Sequence, residues 1–286
     1  LNTALLSVLF ILIGYTTFFV LVIRSNANTP INENAPKDAT ALLTYLNREQ
    51  YGYTPLFHGQ YYNAMVVDQQ ESSSKYIKDK ESGKYIEVKQ RGKLVYESDK
   101  TTIFPRMWSN DESRNHPTYY KMWAGIDENS DRKPTFAENL TYFFRYQVNH
   151  MYWRYFMWNF AGRQNDIQSH GLNLSGNEPT NVSNGTKDLL HGNWITGIDF
   201  IDEMRLGPQD NLPVDLANNA GKNKLFCLPL LLGLAGLIFH IKKSPKDSFV
   251  VFLLFFMTGL AIVLYLNQPP AQPRERDYAY AGSFYA

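Results

Sequence analysis

Hydrophobic positions in this chain fall into three long blocks and one mixed middle. Thr3 to Ile23, "TALLSVLFILIGYTTFFVLVI", has no charged residue and is about as long as the roughly 20 residues that cross a hydrocarbon core. It predicts a spanning helix over residues 1–23, and the absence of a basic leader or a small-residue cleavage pattern weighs against a signal peptide. Leu225 to Ile241 and Phe249 to Leu266 predict a second and third span, joined by the loop at residues 242–248. That loop carries Lys242, Lys243 and Lys246, so the positive-inside rule places it in the cytoplasm and residues 24–224 and 267–286 outside.

The middle region reads as mixed α and β. Pro36 followed by Ala39, Leu42, Leu43 and Leu46 on one stripe predicts an amphipathic helix ending near Gly52. "SKYIKDKESGKYIEVKQRGKLVYESD", about residues 74–98, has three β-rich runs and predicts a three-stranded meander. Thr135 and Glu138 have capping-box spacing and open a long aromatic helix over about 136–160. Its aromatics lie all round, interrupted by Arg145, Asn149, His150, Arg154 and Asn159. Tyr, Trp and basic side chains suit the membrane–water interface or a packing surface for other spans, with a buried core helix as the competing reading. A linker over Ser169–Gly192 and a short helix capped by Thr196 lead back to the membrane.

Composition modifies this picture only slightly. Lys plus Arg number 28 against 27 Asp plus Glu, a balance that argues against a nucleic-acid partner. Mean hydropathy is −0.35 because the apolar blocks are averaged with the polar middle. One cysteine, Cys227, rules out an intrachain disulfide. Nucleotide-binding loops, HExxH and the nucleophile elbow are missing from the sequence, and its six histidines lack metal-ligand spacing, so neither cofactor nor metal is expected. The sequons at Asn139, Asn173, Asn181 and Asn184 are given no role, and Asp199, Asp202 and Glu203 read as solvated surface.

Candidate chemistry gathers at "PRERDYAY", just outside the third block. Arg274 and Arg276 offer paired planar donors suited to phosphate, with Glu275 and Asp277 placed to orient them. Local charge pairing in a solvated turn is the simpler alternative.

The strings "IGYTTFFVLVIRSNANTPINENAP", "YLNREQYG", "YWRYFMWNFAGRQND" and "PRERDYAYAGSFYA" together resemble the central part of a bacterial family of polytopic membrane proteins, domain of unknown function 2723, classed as glycosyltransferase family 117. The resemblance implies a fragment of a GT-C-like multispanning enzyme of the protein O-mannosyltransferase type in the bacterial inner membrane. Three transmembrane helices would flank a mixed α+β periplasmic region. Such an enzyme moves sugar from a polyprenyl-phosphate donor to a protein or glycan acceptor, with membrane lipids around it. On this reading Arg274, Glu275, Arg276 and Asp277 hold the donor phosphate, and Arg154, Asn159, Arg163, Gln164, Asn165 and Asp166 form a second polar wall. The acidic base would lie in a part of the family's chain that precedes this one. A membrane-anchored, non-enzymatic binding module is the alternative.

Overall fold

The computed structural model describes residues 2–27, 29–32, 34–47, 54–70, 74–79, 82–89, 92, 94–173, 186–210 and 212–286. The chain divides into two units, residues 1–53 with 66–95, and residues 54–65 with 96–286.

The first unit holds α1 (Asn2–Asn26) and α2 (Ala39–Leu46). α1 is apolar on all sides and none of its most apolar window is buried, the pattern of a helix built for a nonaqueous solvent. α2 begins at Asp38, whose carboxylate accepts from Ala41 N at 2.8 Å and satisfies one of the first-turn donors. The expected continuation toward Gly52 falls outside the described residues.

The expected meander is replaced by two separate strand pairs. β3 (Ser74–Lys78) and β4 (Tyr85–Lys89) form an antiparallel hairpin, closed by Gly83 at φ +66 and by the Asp79 carboxylate accepting from Ser82 N. β5 (Leu94–Tyr96) pairs instead with β2 (Val66–Gln69). Gly92 explains the diversion: a Cβ there would stand 1.9 Å from the Gln70 carbonyl oxygen, so only glycine lets the chain come alongside the end of β2.

The second unit is organised around one continuous helical segment, α4 (Phe136–Tyr142), a π-helical stretch (Phe143–Trp153) and α5 (Arg154–Phe160). The expected capping box is present at its start: Thr135 and Glu138 bond reciprocally, and Glu138 also pairs with Arg132. Widening of the helix in the π stretch brings side chains four apart closer to one column, where Tyr142, Tyr146 and His150 stack at 5.3 and 5.5 Å. Tyr142, Tyr146, Gln147, Tyr152, Tyr155 and Trp158 are buried by the protein itself, so this segment is the core helix of the unit. Around it pack α3 (His116–Ala124) and the residues flanking the antiparallel pair β1 (His58–Gln60) and β6 (Thr101–Ile103). The Asn139 side chain is fully buried, bonding Phe104 O, Arg106 N and Met107 N, so that sequon offers no free amide. Asn181 and Asn184 lie outside the described residues.

Beyond α5 come β7 (Gly162–Arg163), β8 (Leu172–Asn173), β9 (Thr186–Lys187), α6 (Asp199–Leu206), α7 (Val214–Ala217) and β10 (Asn223–Lys224). Thr196 does not cap α6. The Asp202 carboxylate, 3% exposed, turns inward and accepts from Thr196 N, Thr196 Oγ1 and Gly197 N, which moves Asp202 from the expected surface into the fold. The unit ends with α8 (Leu228–Lys243), α9 (Pro245–Thr258), α10 (Leu260–Leu266) and α11 (Ala281–Tyr285).

Two helical stretches, Asn2–Asn26 and Pro245–Leu266, are long and apolar enough to cross a membrane. The third expected span is corrected. Phe226 and Cys227 adopt φ of +53 and +54, which delays the helix start to Leu228 and leaves α8 with 16 residues. At about 1.5 Å per residue such a helix falls short of a hydrocarbon core of roughly 30 Å. The exit of α10 is fastened to the unit by Asn267, fully buried at φ +41, whose Nδ2 donates to Pro55 O and Pro105 O and whose Oδ1 accepts from Gln147. Arg106, also buried, donates to Leu264 O at the carbonyl-rich end of α10, where a cation is favoured.

Candidate anion-binding site

The second unit carries an open recess of about 290 Å³, with Arg145, Asn149 and Lys187 exposed at its rim, just under the roughly 300–1,000 Å³ usual for small-molecule sites. One wall is the central helical segment, which contributes Arg145, Asn149, His150 and Arg154. The facing wall is irregular chain. Gly171 comes from just before β8, Leu172, Lys187, Asn193 and Trp194 from β8, β9 and the following loop, and Arg205 from α6. Trp123 of α3 closes one end. Gly171, at φ +78, is required by close approach: a Cβ there would lie 2.7 Å from both the His150 ring and Trp123 Cζ2.

Four cations line this space and, among the described residues, no carboxylate does. Arg154 is the one that is neutralised: its guanidinium grips Glu275 through Nη1 at 3.2 Å and Nη2 at 2.8 Å, and also donates to His150 O and Gly192 O. Arg145 and Lys187 have no ion pair among the described residues, and Arg205 lies flat on Trp194, 3.2 Å from the ring centroid, donating to the Trp194 carbonyl. Lys187 is exposed overall, yet partial desolvation at the recess lowers its ammonium's pKa, and the nearby Arg205 cation lowers it further. His150 is held well below the ordinary histidine range by burial first and by Arg154 second, and is therefore neutral. Trp123 Nε1 is buried without a partner, a donor ready for an incoming acceptor. An anion entering here relieves repulsion among cations and satisfies stranded donors together. One face of the Trp194 indole is taken by Arg205 and Trp123 packs against Tyr146 and His150, so the indoles wall the recess and leave only part of their apolar surface to a ligand.

The residues expected to form the site sort into three groups. Arg154 alone of them lines the cavity. Glu275 pairs with Arg154 and accepts from the Tyr155 hydroxyl and from Ser169 N, so its carboxylate does not orient its neighbours Arg274 and Arg276. Arg274 is exposed and touches the Tyr278 hydroxyl, while Asp277 opens a short 3₁₀ turn. Arg276 has a buried Nε without a partner, and its backbone N donates to Tyr155 Oη. The expected second wall is a set of braces. Gln164 and Asn165 are fully buried and hold the 188–193 loop through Leu189 O, Leu190 O, Gly192 N and the Asn193 side chain. Arg163 stacks on Trp158 and donates to Asn165 O, Asp166 bonds Asn219, and Asn159 bonds its own helix at Tyr155 O.

Sequence reasoning did not place Lys187, Arg205, Trp123 or Trp194 in a site. A usable signal existed for the helical wall, since Arg145, Asn149, His150 and Arg154 are four of the polar interruptions of the aromatic helix.

Fold and cavity thus define an α-rich protein with apolar helices and a cationic, indole-walled recess. Over residues 52–144 the chain matches the model of a family of unknown function, DUF8416. That match overturns the resemblance to domain of unknown function 2723: the matching family is a different one, and the strings that suggested the resemblance lie mostly outside the matched span. Of the cavity walls the match includes Trp123 alone. No curated protein and no solved structure matches the chain.

Proposed function

We propose that this chain is a membrane-anchored binding module whose cavity holds an anionic ligand with a flat apolar or sugar face, a phosphorylated saccharide being the chemistry that fits best. The observation that carries this reading is the cavity lining: Arg145 and Lys187 without an ion pair among the described residues, Arg205 with the Asp202 carboxylate acting on it but not bonded to it, two indoles, and the unpartnered Trp123 Nε1. Glu275, which neutralises the fourth cation, lies nine residues beyond the end of α10, so the segment leaving an apolar helix braces the cavity wall. A ligand anchored in lipid would meet the cavity from that side. The lysine-bearing turn between α8 and α9 supports an extracytoplasmic location for the cavity.

A glycosyltransferase acting on a polyprenyl-phosphate sugar is the second reading, favoured by the same cationic lining next to an apolar helix. It needs a carboxylate base at the acceptor hydroxyl, and the described lining contributes none.

The test is tryptophan fluorescence of the full chain in lipid nanodiscs, titrated with glucose 1-phosphate and, separately, with glucose. Saturable quenching by the phosphate ester, weakened about tenfold or more in Arg145→Ala/Lys187→Ala and by added salt, is the expected result. Equal responses to both sugars, or phosphate binding unchanged in the double variant, rule the assignment out.

A further inference from the structure

α6 carries a second surface whose chemistry is opposite to that of the cavity. Asp202 and Leu206 face inward at 3% and 4% exposure, while Phe200 and Met204, four residues apart on the opposite side, are 76% and 73% exposed. Two large apolar side chains turned fully outward on so short a helix are not accounted for by the fold of the unit. Their position supplies the reason. Phe226 N donates to Thr196 O at 2.9 Å, and Gly197, at φ +86, packs so closely on Lys224 that a Cβ would lie 2.8 Å from that side chain. The start of α6 is therefore fastened to the residues that lead into α8. Phe226 and Leu228 are themselves half exposed, and Leu231 and Leu232 continue the apolar surface along α8.

α8 and α9 meet at Ser244 and pack on one another; taken as a helical hairpin, they set the start of α8 at the end where α10 exits. That end is where an apolar helix of spanning length leaves hydrocarbon for the headgroup layer. We infer that α6 is an interfacial membrane anchor, with Phe200 and Met204 inserted among lipid chains and Lys224 at headgroup level. The inference rests on the membrane placement of α9 and α10, and it is independent of what the cavity binds. A lipid surface is the occupant that the apolar continuity with α8 selects. Glu203, beside Met204 on the outer face, favours zwitterionic over anionic headgroups. Arg205, the next residue, reaches the cavity, so an inserted α6 holds one cavity wall against the bilayer. This arrangement resembles in principle the amphipathic helices that lie in the interface plane.

The experiment uses the full chain in phosphatidylcholine vesicles with Cys227→Ser as background and single cysteines from Phe200→Cys, Met204→Cys and, in the exposed α3–α4 loop, Asn129→Cys. Each carries an environment-sensitive fluorophore. Probes at positions 200 and 204 are expected to emit further to the blue than at 129, and to be quenched several-fold more by lipids with a nitroxide high on the acyl chain. Quenching at 200 and 204 no greater than at 129 overturns the inference. So does concentration-dependent disulfide formation between copies through position 200, which would assign the face to self-association instead.

Discussion

The helical segment Phe136–Phe160 and α8 treat polarity in opposite ways. The first is studded with hydroxyls, amides and cations, many of them on a buried face; the second is almost wholly apolar, and none of its residues is buried. Buried polarity works because several of its tips find partners in the chain leaving α10. Tyr142 donates to Gln268 O, Tyr146 to Pro269 O, and Gln147 to Asn267 Oδ1 and Gln268 O. A segment with no hydrogen-bonded ladder of its own receives donors from side chains. α8 has nothing of this kind to offer and needs an apolar solvent on its outer face. Apolar content alone therefore points to the wrong helix as core, whereas the availability of acceptors in a neighbouring irregular segment points to the right one.

The largest expected effect tests the polar side of that contrast. Glu275→Ala leaves the Arg154 guanidinium buried beside Tyr155 and Trp158 with its carboxylate removed, and breaking such a pair costs about 3–5 kcal/mol. A large fall in the thermal midpoint of the purified protein is the expected result. A shift of less than about 1 kcal/mol would mean that the pair is solvated and the core helix less enclosed than its burial implies.

Asn267→Ala should come next, at about 2–3 kcal/mol, because it strands the Pro55 and Pro105 carbonyls and Gln147 Nε2 loses one of its two acceptors. Denaturant unfolding of the variant measures this. Asn267→Gly, which accepts the positive φ more readily, should recover only a small part of the loss, since the hydrogen bonds and not the backbone are what the side chain provides.

How much of this was legible from residues alone follows the same division. α1, the apolar helix ending at Leu266 and the capping box at Thr135 were legible, since each depends on local composition or spacing. The start of α8 was not, because two left-handed residues inside an apolar run leave no hydropathy signal. The pairing of β5 with β2 was hidden as well, since it turns on one close approach at Gly92. At the cavity, Arg154 could be picked out as a charge in an aromatic helix, but its partner Glu275 lies 121 positions away and only folding brings them together. Lys187 and Arg205 stood in stretches that read as linker and surface helix.

Acidification gives a smaller, graded effect on the core helix. His150 is 8% exposed, and burial together with Arg154 keeps its pKa well below 6.5, so between those values the unfolded chain binds a proton that the folded one refuses. Its contribution to stability is complete above pH 6.5 and is lost progressively as pH falls below it. The stability of wild type should therefore drop more steeply between pH 6.5 and about 5 than that of His150→Phe, in which nothing titrates at that position. Parallel pH profiles would mean that the imidazole is reached by water.

The smallest effect lies on α8 and sharpens the contrast from its other side. Leu232 is 73% exposed and Phe239 64%, so removing their side chains opens no cavity in the protein. Leu232→Ala and Phe239→Ala in detergent should each change unfolding free energy by no more than about 0.5 kcal/mol, the usual range for surface positions. The same change at a packed leucine would cost about 2–5 kcal/mol, which is easily distinguished. A large loss at Leu232 would show that another surface of the protein covers α8. In that case its apolar exposure would have a protein partner rather than lipid as its reason. A small loss in detergent, joined to weaker retention of Leu232→Asn in the bilayer fraction, is the outcome that a lipid-facing α8 requires, because an amide at that depth has no partner in hydrocarbon.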